Sequence, residues 1–588
     1  MPKLSLNNWE DNNELDGLLF FAQTIRDMVS RYTIDSYKAP VFNSHSICDE
    51  VLDVIDEMSQ GFLHEKGLDP IKDELIWNFK NDPVVKAILG YRFSPLIEEL
   101  KQAESPKKVQ FIVRPIQNLI ERKYLEETHN QLKKFIKTPK EKERITQLSK
   151  IFISELVFYG YSQEYIYQET MRYFFLSHSI SNLSQIEPFL KKFSFQEEMW
   201  DVYFKGSSNF FYLKNLDIFK NLEIIEGEVQ PRKGYPAETS FFENNQEFPL
   251  YLYFTNITAI DPYDAKEQCE NILQHLNDLS GLSTHKERLS WFPQTIVYSK
   301  SDYFTSIDDF SIMHRIKDKE ICEIKDNIDD LVSILFSMNN QSMYLIWNSL
   351  SMHSVATQSN HSENQLMNLW TALETLLPSP PDQRIRITHF LYSFEPFLGR
   401  KYIQKLIKDL LSELRFELGG ELDNILQKVP AGATDFEKLS AILSISEYKP
   451  FKEELCEKVG NNLILRNKVF RLNKKLLSKE KILDTIESHN QRVRWQLQRI
   501  YRARNLIVHK GDKLRYVDQL VENLHSYYHS IMSLIQEIQD DYDNIESLDT
   551  IFKLVRIEHT AHLNLLKKEN QQNCNPENFQ LLLFCNPK

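Results

Sequence analysis

The chain of 588 residues has little glycine, only 15, and little cysteine, only six. Scarce glycine, with hydrophobic residues at 42% and aromatics at 12%, marks a folded, mostly helical protein, since a disordered chain would be depleted in aromatics. Cys48, Cys269, Cys322, Cys456, Cys574 and Cys585 lie far apart and show no CxxC spacing. That argues against a disulfide framework and for a reducing compartment, the cytoplasm. No apolar run of about 18 residues occurs, and the opening MPKLSLNNWEDNNELDG lacks an apolar signal core, so neither membrane spanning nor export is expected. There is no Gly-rich phosphate loop, no GxSxG and no HExxH, which disfavours ATP-driven and serine-hydrolase chemistry. An excess of positive charge is missing too: the net charge is −13, against diffuse whole-surface binding of nucleic acid.

The length suggests roughly three or four domains. Residues 1–195 read as helices, with i, i+3, i+4 apolar spacing in LDGLLFFAQTIRDMVSRY and in IFISELVFYGYSQEYIYQETMRYFF. From about Trp200 the texture changes to short aromatic and β-branched runs such as WDVYFKG and FPLYLYFTNITAI, separated by turn signals. Asp261-Pro262 then reads as a helix start, so residues 196–315 form a small α+β region. Connecting helices follow over 316–360. Residues 361–545 read as a helical domain, in which Leu366, Leu369, Trp370, Leu373, Leu376 and Leu377 trace one buried helix face ended by Pro378, Pro380 and Pro381. Glu374 adjoins that stripe and is a supporting carboxylate or an exposed helix residue. Residues 546–588 read as a tail.

One segment reverses the overall sign. Residues 491–515, QRVRWQLQRIYRARNLIVHKGDKLR, carry eight Lys and Arg against Asp512 alone. Within it, Arg504 and His509 have four residues between them. That spacing by itself is cheap: chance yields roughly two matches over the spacings of four to six residues. Arg122 with His129, Arg172 with His178, Arg384 with His389, Arg502 with His509 and Arg556 with His562 also fit it. Only Arg504 is followed directly by an asparagine, Asn505, inside the basic run and at the junction of two long helices, from about Asp484 to Val508 and from about Lys513 to Tyr542.

These residue types suit metal-free RNA cleavage, in which the substrate's 2′-hydroxyl attacks the adjacent phosphate. His509 is the proton-transfer group, since imidazole titrates near neutral pH. Arg504 offers a permanently charged planar fork that matches phosphate. Asn505 donates and accepts at once and can orient the histidine or a ribose hydroxyl. Arg499, Arg502, Lys510 and Lys513 are the expected phosphate contacts. Five residues on a straight helix separate Arg504 from His509 by about 140°. They converge only if the helix ends between them, with Gly511 as a left-handed residue just past Val508 or His509, or if facing copies of the motif supply the convergence. The bland alternative is a well-capped helix end, where cations oppose the helix dipole.

The run R-N-L-I-V-H resembles the Rx4–6H motif of HEPN ribonuclease domains. The following KGD and amphipathic helix are similar to the ApeA-like branch, and NLWTALETLL resembles that branch's first helix, so the likeness covers about the last 200 residues. It implies an α-helical bundle, two motifs meeting across a homodimer, and a metal-independent endoribonuclease of the toxin or anti-phage type. RNA, with transfer RNA among the candidates, is the implied partner. Residues 1–315 would sense a cellular or phage-derived trigger or restrain the nuclease. The alternative is a non-catalytic module that binds RNA or a protein through the same basic surface.

Neither cofactor nor metal is expected. His525 and His529 are i, i+4 on a helix but lack an acidic third ligand nearby in sequence, so a solvated face is the expected reading. His559, His562, Cys574 and Cys585 could supply four zinc ligands, yet their spacing matches no common finger.

Overall fold

Polar caps and apolar stripes lay out the first region. Asn43 accepts from the backbone N–H groups of His45 and Ser46 and so starts the helix Ser44–Ser59 (α1). Ile47, Val51, Val54 and Ile55 of α1 face the core, and Glu50 and Glu57 are buried on the same helix. Leu68–Asn81 (α2) packs beside it. Helices continue to Ile186–Lys191 around one core that holds Phe20, Phe21, Phe152, Phe174 and Phe189. This computed structural model describes the chain apart from residues 1–4, 31–37, 39, 41, 62–66, 215–220, 244–246, 301–303, 309–320, 379–385, 511–513, 515, 543–544, 569–572 and 586–588.

The aromatic runs become a five-stranded antiparallel sheet. Its strands are Glu198–Gly206 (β1), Leu222–Glu226 (β2), Leu250–Ala259 (β3), Thr295–Ser299 (β4) and Phe304–Ile307 (β5), in the order β2-β3-β1-β4-β5. Asp261 caps the helix Pro262–Gly281 (α3) by accepting from Tyr263 and Asp264 N–H at 2.8 and 2.9 Å. Ala265, Cys269, Leu273 and Leu276 of α3 cover one sheet face.

Helices return in the last region: Asn340–Gln358 (α4), Ser362–Leu376 (α5), Arg386–Leu418 (α6), Lys479–Lys510 (α7), Val517–Asp541 (α8) and Leu548–Lys567 (α9). The fold is thus mostly α, with helical first and last regions and a small sheet between them. Trp370 of α5 lies flat on Phe390 of α6, with ring centroids 4.1 Å apart. Phe394, Phe397, Leu524, Ile531 and Phe552 complete this core.

The cores extend across two of the expected boundaries. Ile346 and Ala356, from the segment read as connecting helices, belong to the same core as α5. Residues 546–588 are no separate tail. Ile551, Phe552 and Val555 fill that core, and Cys574, Phe579 and Leu582 fill a second one with Ile407, Leu439 and Leu472. Burying those apolar groups, at about 25 cal/mol per Å², fixes the helix that carries Leu582 to the body. The first and last regions also interlock. Lys468 pairs with Asp27 at 3.0 Å and with Glu413 at 2.7 Å, and Gln23 donates to the Asn461 carbonyl at 2.9 Å. Among the described residues, no helix is long and apolar enough to cross a membrane.

Candidate active site

The helix α7 carries the basic run as far as Lys510, and helical phase divides it. Arg499 and Arg502, three residues apart, point to the first region. Arg499 Nε and Nη2 donate to the two oxygens of Glu50 at 2.9 and 2.7 Å, and Nη2 also donates to Glu74 at 2.7 Å. Arg502 Nη2 donates to Glu50 at 2.7 Å. The Arg499 guanidinium lies over the Phe42 ring, 4.4 Å from its centroid, and Trp495 meets Trp77 at 5.6 Å one turn earlier. Burial opposes ionisation of Glu50, but the two guanidinium groups outweigh it and hold its carboxyl down at about 2. Glu74 moves the other way, pushed up by burial and by the charge of Glu50 despite its ion pair with Arg499.

The expectation that Arg499 and Arg502 contact RNA is therefore corrected. Both are buried, at 2% and 7% exposure, and their donors are committed to carboxylates. Lys510 is also turned inward, 3.7 Å from Glu57. Arg494 makes a two-pronged pair with Glu395 at 2.6 Å in each arm, and Arg492 donates to the Tyr402 hydroxyl at 3.2 Å. Arg494, Arg499, Arg502 and Lys510 of the positive segment are thus answered within the molecule by acids distant in sequence. Lys513, Gly511 and Arg515 lie outside the described residues.

Arg504 differs. It sits half-buried on the far side of α7, where Nη1 donates to Asn505 Oδ1 at 3.0 Å. Its Nε is buried and has no hydrogen-bond partner among the described residues, and no described carboxylate pairs with it. Asn505 is half-buried, and His509 is exposed near the end of the helix. The helix does not end between them: it runs on to Lys510, so Arg504 and His509 keep their separation of about 140° and do not converge within one chain.

Glu374, weighed as a supporting carboxylate, is half-buried on α5 and is not ion-paired with Arg504. Its helix reaches α7 through Trp370 and Tyr501, with ring centroids 5.7 Å apart. The four tail residues do not gather. His562 Nε2 meets the Leu582 carbonyl at 2.8 Å, His559 meets Asn490 at 3.4 Å, and the Cys574 thiol faces the Leu476 carbonyl. Of the helix pair, His525 is buried rather than solvated, and it faces His353 of α4, which the sequence reading did not single out.

A cleft of about 1400 Å³ runs between the middle region and the start of α8, past Leu514 and Asp518. Glu164, Glu197, Glu267 and Glu363 line it, a charge that repels a phosphate backbone. Comparison with protein-family models, curated proteins and solved structures finds no match.

Proposed function

We propose that this protein is a metal-independent endoribonuclease of the HEPN type that acts as a homodimer in anti-phage defence or abortive infection. One observation carries the reading: Arg504 is a half-buried cation with an unmet Nε donor and no described counter-charge, next to Asn505. A guanidinium in that state favours an anionic ligand, and a phosphate fits its fork. His509, exposed at the helix end, is available for proton transfer. The resemblance of RNLIVH to the HEPN motif supplies the reaction class. In it the 2′-hydroxyl of the RNA attacks the phosphorus and the 5′-oxygen leaves. The products are a 2′,3′-cyclic phosphate and a 5′-hydroxyl.

Because the two side chains diverge on one helix, Arg504 of one copy has to meet His509 of another. The first region, which grips α7 through Glu50, Glu74 and Glu57, sets the position of the motif helix and gives a trigger a handle on it. Burial of Arg499 and Arg502 removes much of the basic surface that a purely RNA-binding module would use, which counts against that alternative.

The test is complementation. Arg504→Ala and His509→Ala should each be inactive, whereas a mixture allowed to exchange subunits should regain about a quarter of wild-type cleavage, since half the dimers are mixed and each has one intact site of two. Two dead variants that stay dead after proven exchange would overturn the shared site. Products with a 3′-hydroxyl would overturn the chemistry.

A further inference from the structure

Three histidines from two helices meet at the seam of α4 and α8. Each of His353, His525 and His529 brings one ring nitrogen within 4.8 Å of the others. His525 Nε2 lies 3.1 Å from His353 Nε2 and 3.3 Å from His529 Nε2. A neutral imidazole nitrogen has either one in-plane lone pair or one proton, so His525 Nε2 can satisfy only one of those two contacts as a hydrogen bond. A shared cation satisfies both. With zinc–nitrogen distances of about 2.0–2.1 Å and tetrahedral angles, ligand nitrogens stand about 3.3 Å apart, which matches the two distances from His525, the third pair lying within 4.8 Å.

We propose that His353, His525 and His529 form a binding site for one divalent transition-metal ion of the zinc class, with the fourth position open to solvent beside the exposed His529. The ring positions are held before any ion arrives. Tyr528 stacks on His353 at 4.6 Å and 11°, and its hydroxyl lies 3.2 Å from Ser349, which bonds the Ala372 carbonyl of α5. Imidazole donors without thiolate or carboxylate suit zinc, copper, nickel or cobalt rather than magnesium or calcium.

One feature limits the affinity. His525 Nδ1 is buried and has no acceptor among the described residues. A ligating histidine ordinarily donates its other N–H to a carboxylate or carbonyl, and lack of that support costs about 10–100-fold in affinity. The bound ion ties α4 to α8 and stiffens the bundle that carries the motif helix. This site is independent of the RNase reading, because none of the three histidines belongs to the RNLIVH run.

The full chain, stripped with chelator and desalted, should take up one equivalent of Zn²⁺ in calorimetry and melt at a higher temperature with it. Co²⁺ should give the intensified visible bands of tetrahedral coordination by three nitrogens and one solvent oxygen. His529→Ala, at an exposed position, should fold like the wild-type apoprotein yet lose the equivalent and the Co²⁺ bands. His353→Gln should lose them as well, whereas exposed His285→Ala should keep both. Failure of the wild-type apoprotein to bind Zn²⁺ at micromolar concentrations would overturn the site, as would a His529→Ala variant that retains the full equivalent and spectrum.

Discussion

Arg499 and Arg504 are five residues apart on one helix, and their surroundings are opposite. Arg499 is shut into the seam with the first region, under Phe42 and between Glu50 and Glu74. Arg504 lies on the other side of the helix with a neighbouring amide and an unmet donor. A run of like charges on a long helix is therefore not one surface. Every 100° turn per residue assigns the next side chain to a different environment, and here one side is bound to the first region while the other keeps an unmet donor. The same division explains why a protein of net charge −13 can carry a strongly basic segment: its acids stand opposite that segment.

The sharpest way to break this comparison is to change one residue on each side and read both activity and stability. His509→Ala should lower RNA cleavage by about 10²–10⁴-fold, the usual worth of a general acid or base, while the melting temperature stays within a degree or so because the side chain is exposed. Arg504→Ala should behave alike, and Asn505→Ala should keep partial activity if it only orients its neighbours. Arg556→Ala, from a decoy pair and stacked on Tyr392 at 4.8 Å, should leave cleavage intact. A His509→Ala protein that melts much earlier, or an Arg556→Ala protein that is inactive, would show that the site is misplaced. With the 2′-hydroxyl as nucleophile, as proposed, cleavage by folded protein should continue in EDTA, and DNA should resist.

On the buried side the effect should be in stability. Arg499→Ala takes the guanidinium away from Glu74 and leaves Glu50 with Arg502 alone, and removing one partner of a buried pair costs about 3–5 kcal/mol. Equilibrium denaturation should show that loss. Changing Glu50→Gln and Glu74→Gln together with Arg499→Met and Arg502→Met should recover much of it, because no charge of the cluster is then stranded. If Arg499→Ala is as stable as wild type, the seam is not held by these ions.

Acid should act on the same seam. Glu50 has its folded-state value near 2, below the ordinary 4.5, so its contribution is complete above about pH 4.5 and lost as the pH falls through about 2. The size of the shift corresponds to about 3 kcal/mol. Glu74 is shifted upward, so its protonation on acidification relieves strain first and offsets part of that loss. Denaturation at a series of pH values should thus show the Glu50-dependent loss only below about pH 4.5 and show none of it in Glu50→Gln.

Much of the architecture was legible because local patterns decide it. The Trp370 stripe with its prolines predicts α5, and Asp261-Pro262 predicts the start of α3 to the residue. The partners of the basic run were not legible. Glu50 is separated from Arg499 by 449 positions, and an acid on an amphipathic helix reads as a solvent-facing residue until the helix that covers it is known. His353 escaped for the same reason, 172 residues from His525 on a helix with no metal spacing of its own. The helix end was misjudged by only a residue or two, yet that margin decides whether Arg504 and His509 can meet within one chain.

The smallest effect gives the finest discrimination. Each cation that neutralises a phosphate releases counterion, so removing it should flatten the salt dependence of RNA binding by about 0.7 for single strands. Arg502 donates to Glu50 and is 7% exposed, so Arg502→Ala, measured at a temperature where it is folded, should leave the slope of log Kd against log salt unchanged even if the affinity shifts. Arg504→Ala should reduce the slope by about that single increment. The measurement needs a non-cleavable 2′-deoxy or 2′-methoxy strand, so that binding is read apart from chemistry. Equal slopes for wild type and Arg504→Ala would mean that its unmet donor serves something other than phosphate. A flattened slope for Arg502→Ala would mean that the first region lets go of α7 when RNA arrives, and that the two sides of the helix exchange roles in the bound state.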